Sequence, residues 1–116
     1  MSRVETSENI GPHPFHSIKG AVAPAHGPVV KSQNYTKHSY QLVCSGVGPS
    51  TDVAFIIYAT NDQSTKWQSI ANYTINSSRN SNGVLYFDCW NFKYCKASVI
   101  GSFGGATISV IEKHNA

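Results

Sequence analysis

VAFIIYATNDQSTKW, running from Val53 to Trp67, is the stretch on which the reading of this chain turns. Its first half, Val53 to Ala59, is a β-branched and aromatic run without Gly or Pro. Such a run is too short for a buried helix and has the length of a strand covered on both faces. Asn61 to Thr65 is a polar turn cluster, and Lys66-Trp67 opens a second apolar stretch. The segment therefore reads as a strand, a tight connection and a returning strand that carries Trp67, Ile70, Tyr73 and Ile75.

Toward the C-terminus the same period continues. Asn76 to Gly83 (NSSRNSNG) reads as a polar loop whose Asn82-Gly83 ending suits a tight hairpin turn, since both residues tolerate positive φ. The strand that follows, Val84 to Asp88, is expected to pair with the strand before it, with Leu85, Phe87 and Cys89 on one face. Trp90-Asn91 marks a bend, and Phe92 to Ile100 resumes the alternation, Cys95, Ala97 and Val99 opposing Tyr94, Lys96 and Ser98. Gly101 to Gly105 is a turn, after which Ala106, Ile108 and Val110 alternate with Thr107, Ser109 and Ile111. Toward the N-terminus, Tyr40, Leu42 and Cys44 alternate with Gln41, Val43 and Ser45, and Gly46 to Ser50 breaks the strand with turn-forming residues. Six or more short strands at even spacing predict an all-β fold, an antiparallel β-sandwich or jelly-roll-like single domain over residues 39–116.

Residues 1–38 differ in character. They hold four of the five prolines and few large apolar side chains, a composition that does not form a packed core by itself and predicts an extended N-terminal arm. Its apolar residues come singly or in pairs. Ile10, Phe15, Ile18, Val22, Val29 and Val30 are the candidate partner-binding residues, pegs for a neighbouring surface.

At 116 residues the chain is long enough for one domain with a core. Only 13% of residues are charged, so the surface is polar but weakly charged. The net charge is +3 and the basic residues are scattered from Arg3 to Lys113 without a stripe, which argues against direct nucleic-acid binding. Met1 to Asn9 has no apolar core of a signal peptide, and no run approaches the ~20 residues of a membrane span. Synthesis in a cytoplasm is the expectation. Cys44, Cys89 and Cys95 are odd in number and lack CxxC spacing, which fits small buried apolar residues rather than a disulfide framework.

No catalytic, cofactor-binding or metal-binding residues are nominated. The six acidic residues are dispersed, and Asp52 and Asp62 sit at strand ends where capping is their common role. The cysteines lie in strands away from the histidines that a thiolate nucleophile needs. His13, His16 and His26 with Cys44 have no zinc spacing. The tyrosines with Trp67 and Trp90 could form an aromatic ligand platform, yet their strand periodicity equally places them on sheet faces. An enzyme finds no support in these residues.

FIIYATND (from Phe55), KWQSI (from Lys66), WNFKYCKASVIG (from Trp90) and ATISVIE (from Ala106) together resemble a recurrent small β-sandwich of tailed-bacteriophage virion proteins. In that pattern a hydrophobic strand ends in a Gly-Ser-Asn-Asp-like turn, here Ala59-Thr60-Asn61-Asp62. A Trp opens the next strand, here Trp67, and a Gly-rich turn precedes a Thr/Val-rich last strand, here Gly104-Gly105-Ala106-Thr107. Thr60 stands where Gly or Ser is usual, and Lys96 replaces an arginine. The resemblance covers residues 28 to 113. It implies a virion structural protein, a capsid decoration (cement) protein on the capsid surface whose partners are the major capsid protein or other virion proteins. A homo-oligomer is expected, a trimer being attractive at threefold capsid sites, with neither nucleic acid nor membrane as a direct partner. The alternatives are a tail, fibre or neck component, or a host-receptor or carbohydrate-binding module using Tyr35, Tyr73 or Trp90.

Overall fold

The computed structural model describes residues 14–31, 37–62, 66–79, 82–88 and 92–115, of which 82–88 and 115 are described by backbone alone. Nine strands follow in chain order: β1 (Phe15–Ala21), β2 (Ala25–His26), β3 (Val30–Lys31), β4 (Lys37–Ser45), β5 (Asp52–Thr60), β6 (Gln68–Ile75), β7 (Asn82–Asp88), β8 (Tyr94–Ser102) and β9 (Thr107–Asn115). They form two antiparallel sheets, one in the order β1-β9-β4-β7, the other in the order β2-β8-β5-β6 with β3 also on β8. Successive long strands after β3 alternate between the sheets except at the β5–β6 hairpin. The fold is the expected antiparallel β-sandwich.

β5 sits in the middle of its sheet because its sequence can be covered on both sides. Val53, Phe55, Ile57 and Ala59 are fully buried between the sheets, and Ile56 and Thr60 are also buried on the opposite face. The β5–β6 hairpin forms as the sequence predicts, Val53 opposite Ile75 and Ala59 opposite Gln68, with one register shift between Ile57 and Tyr58. Across the interface, Tyr40 and Leu42 of β4 and Ile108 and Val110 of β9 face this row and complete the apolar core. Tyr40 and Phe55 meet with ring centroids 5.7 Å apart. Each buried residue of this size contributes about 1.5–3 kcal/mol relative to exposure.

Two expectations are corrected. Asn82-Gly83 is not a hairpin turn; the pair opens β7, opposite Val43 and Leu42. β7 accordingly pairs with β4 and not with β6, the chain changing sheet between the end of β6 at Ile75 and the start of β7 at Asn82. A two-residue turn would have kept it in the same one. The second correction concerns the arm. The sandwich begins at Phe15: β1 pairs with β9, β2 and β3 pair with β8, and Lys37 and His38 already belong to β4. Edge strands need to bury only one face, so a sparsely apolar segment suffices to build them. The prolines fall at the breaks, Pro24 before β2 and Pro28 between β2 and β3, where a missing ladder donor is tolerated.

The end of the sandwich formed by the β4–β5 and β8–β9 connections is stitched by Thr51. Its buried hydroxyl donates to the Phe103 carbonyl at 2.9 Å and accepts from the Gly48 amide at 3.1 Å. Beside it Gly104 has φ of 55°, and a Cβ there would lie 2.6 Å from the Ser50 carbonyl carbon. Both the left-handed backbone and the close approach require glycine. Gly104→Ala is expected to lower the unfolding free energy by about 1–3 kcal/mol in urea titration, while Gly48→Ala, where a Cβ meets nothing within 4 Å, changes it much less.

Candidate functional site

Of the six predicted pegs, the structure uses three inside the chain itself. Ile18 is 5% exposed in the apolar core, Val30 is fully buried opposite Cys95, and Phe15 is half-buried with its ring stacked near His114 at 6.3 Å. Val29 is half-buried beside β3. Val22, between β1 and β2, is 67% exposed and keeps the character of a peg. Ile10 lies outside the described residues, as do Tyr35 and Trp90. The structure therefore does not bring the five described ones together as one surface: Phe15, Ile18 and Val30 pack into the chain's own sheets and Val22 points away from them.

The densest grouping of ionisable side chains is internal. On β9 the inward row Ala106, Ile108, Val110 continues through Glu112 and His114, and on β4 the row Tyr40, Leu42 begins one step earlier with His38. All three polar residues are buried, at 1% exposure or less. His114 Nε2 hydrogen-bonds Glu112 Oε2, and the Tyr40 hydroxyl donates to the same oxygen at 3.4 Å. The His38 ring meets the His114 ring edge-on with centroids 4.1 Å apart. Glu112 Oε1 has no hydrogen-bond partner among the described residues. Burial of this degree separates the Glu112 carboxyl and both imidazoles from solvent, so the cluster works as a polar joint between β4 and β9, with β1 alongside β9 in the same sheet. The signal for it was present in the sequence: strict period two from Ala106 carries Glu112 and His114 inward, and from Leu42 carries His38 inward.

A second grouping faces outward. Tyr58, Tyr94 and Lys96 lie on the outer face of the second sheet, Lys96 opposite Tyr58 and Tyr94 opposite Thr60. The Lys96 ammonium sits 4.6 Å from the centre of the Trp67 ring, a cation–π contact worth about 0.5–1 kcal/mol where partly exposed. All four side chains are half-buried, whereas Tyr73 packs partly buried against the main core. Beside this patch His26 Nδ1 pairs with Ser98 Oγ at 2.6 Å, which accounts for the burial of a serine on the outer face.

Cys44 and Cys95 are free thiols. Burial pushes the Cys44 thiol above its ordinary pKa, which keeps it protonated and a poor nucleophile. Cys95 is fully buried beside Ala59, and Cys89 lies outside the described residues. Among the described residues no group of three or more His, Cys, Asp or Glu is placed to hold a metal ion, and no helix is long and apolar enough to cross a membrane.

No protein-family model matches the sequence, and no curated protein does. Solved structures do share the fold. The SPBc2 prophage-derived protein YomS superposes with a TM-score of 0.56 at 17% identity, over 85% of this chain and 89% of its own. Tripeptidyl peptidase 2 superposes with a TM-score of 0.52 at 8% identity, over 96% of this chain but 10% of the peptidase. The chain thus spans about a tenth of that enzyme and nearly the whole of the prophage protein.

Removing one partner of a buried hydrogen bond leaves the other unsatisfied. Glu112→Ala is expected to cost about 1–3 kcal/mol of stability, and Glu112→Gln, which keeps the volume and one acceptor, less. Equilibrium unfolding followed by tryptophan fluorescence measures both; equal midpoints for Glu112→Ala and the parent would show that the joint carries no stability.

Proposed function

We propose that this protein is a non-enzymatic structural component of a tailed-bacteriophage virion, a capsid decoration protein that binds across junctions between capsid subunits and stabilises the shell. The observation that supports the reading most is the end-to-end likeness to a prophage-derived protein of nearly the same extent. The motifs that resemble virion sandwiches supply β5, β6, β8 and β9, the strands that build the core of the fold. In this reading the sandwich is a compact knob on the capsid surface, made in the host cytoplasm and held by the major capsid protein.

Because residues 15–31 are taken up by the sheets, shell contact is assigned to residues 1–13, with Val4 and Ile10 as the apolar anchors, and to the exposed Val22. An extended segment can add a strand to an edge on the neighbour and gain main-chain hydrogen bonds. Many copies on one shell then hold by avidity, so each contact is allowed to be weak.

A second reading, a receptor- or carbohydrate-binding module on a tail, fibre or neck, is favoured by one observation, the outward patch of Tyr58, Trp67, Tyr94 and Lys96. Aromatic faces flanked by a polar head suit stacking against a sugar ring. Its residues differ from those expected from the sequence, since Tyr73 is packed against the core.

Deletion of residues 1–13 is expected to leave the far-ultraviolet circular dichroism of the sandwich intact and to abolish binding to particles that lack the protein. Full occupancy of shells by the truncated chain, seen by image reconstruction, would overturn the assignment; density confined to the portal vertex or tail would move the protein to neck or host-binding duty. Trp67→Ala tests the second reading, which predicts loss of all retention on a glycan array while shell binding is unchanged; a parent protein retained by no glycan ends that reading.

A further inference from the structure

The two sheets have four edges, and three of them are guarded against pairing with another chain. β1 carries Lys19 and two register shifts. The β2–β3 edge is interrupted at residues 27–29, with Pro28 at the break and Pro24 ahead of it. β6 is bulged where Tyr58 pairs with Ser69 and Ile57 with Ala71. Bulges, prolines and edge lysines are the devices by which natural sheets prevent edge-to-edge addition. β7 has none of them. Its sequence NGVLYFD contains no Lys, Arg or Pro, and its register with β4 runs without a shift from Lys37↔Asp88 to Val43↔Asn82. Among the described strands it pairs with β4 alone.

We propose that the open edge of β7 is an interface between two copies of this chain, the two β7 strands pairing antiparallel about a two-fold axis and joining the two four-stranded sheets into one. The run Val84 to Phe87 has the β-branched and aromatic character that strand pairing favours. The charge pattern selects the antiparallel sense. The single charge of β7 is Asp88 at its end, and it stands opposite Lys37 of β4. Parallel addition in register would set Asp88 against Asp88. Antiparallel addition centred on Leu85 sets each Asp88 against the partner's Asn82 and leaves no like charges opposed. A two-fold, self-complementary contact closes on itself and stops at the dimer. The inference does not rest on the virion reading: it concerns the isolated protein and holds or fails in solution.

Centred on Leu85, the pairing places Val84 of one copy opposite Tyr86 of the other. These positions match Gln41 and Ser39 of β4 in register, away from the Tyr40 and Leu42 row that forms the core. Light scattering after size exclusion of the full chain at micromolar concentration is expected to give the dimer mass. The double variant Val84→Lys with Tyr86→Lys, which opposes like charges twice across the axis, is expected to weaken the dimer by at least about tenfold with circular dichroism unchanged. Should that variant not fold, oxidative cross-linking decides. In a Cys89→Ser background, a mixture of Val84→Cys and Tyr86→Cys chains should form the disulfide dimer, and Val84→Cys chains alone should not. A monomer mass for the parent, a trimer mass, or cross-linking indifferent to which positions are mixed would each overturn the proposal. A parent that is monomeric alone and gains a strand only from a different virion protein would overturn the choice of a second copy.

Discussion

Tyr40 holds the two halves of this structure's chemistry together. Its ring packs on Phe55 across the sandwich, and its hydroxyl reaches Glu112 at the polar end of the same interior. A buried tyrosine needs a partner for its hydroxyl, and here the hydroxyl of an inward β4 position finds one on the β9 row. The apolar core and the buried polar joint are therefore consequences of one side chain satisfying both ends at once. The Phe55 contact fixes how closely the sheets approach. The Glu112 contact ties β4 to β9 at the level where Phe15 of β1 pairs with Glu112 on the other side of β9.

How much of this was legible in the sequence follows from what period-two alternation encodes. Alternation identifies strands and their inward faces, so β4, β5, β8 and β9 and their buried rows could be read directly, and the pairing of β5 with β6 as well. It does not encode which sheet a strand joins. Asn82-Gly83 carries the composition of a hairpin turn, yet here the two residues are paired with Val43 and Leu42, because the chain had already crossed between sheets. Nor does alternation separate a short edge strand from an arm. Phe15, Ile18 and Val30 were visible as spaced apolar residues, but that they dock on their own chain depends on β8 and β9 presenting unpaired edges, a fact of tertiary structure.

The buried Glu112–His114–His38 grouping was hidden by a different rule. Charged and titratable residues are ordinarily solvated, and the apolar part of the inward row of the last strand stops at Val110. Continuing it two more steps buries a carboxylate next to two imidazoles. An interior arrangement of this kind is weak evidence for stability on its own, since an apolar replacement of equal volume serves as well or better. What it adds is directional: the hydrogen bond from Tyr40 of β4 to Glu112 of β9 favours one register of the two strands, where an all-apolar end would tolerate slippage.

Fold likeness cannot carry function across this distance. The same sandwich occurs in a prophage-derived protein at 17% identity and within a tenth of a peptidase at 8%, as expected of an architecture that hosts unrelated activities. What is particular to this chain lies on its outside and at its edges: few charges, an aromatic patch with a single lysine over a tryptophan, and one sheet edge left without the guards that the other three carry. Each of these features concerns contact with another surface. Among the described residues, the Glu112–His114–His38 grouping is buried between the strands it joins. Under the proposed dimer, the geometry of the β7 edge admits only a partner able to present an extended strand.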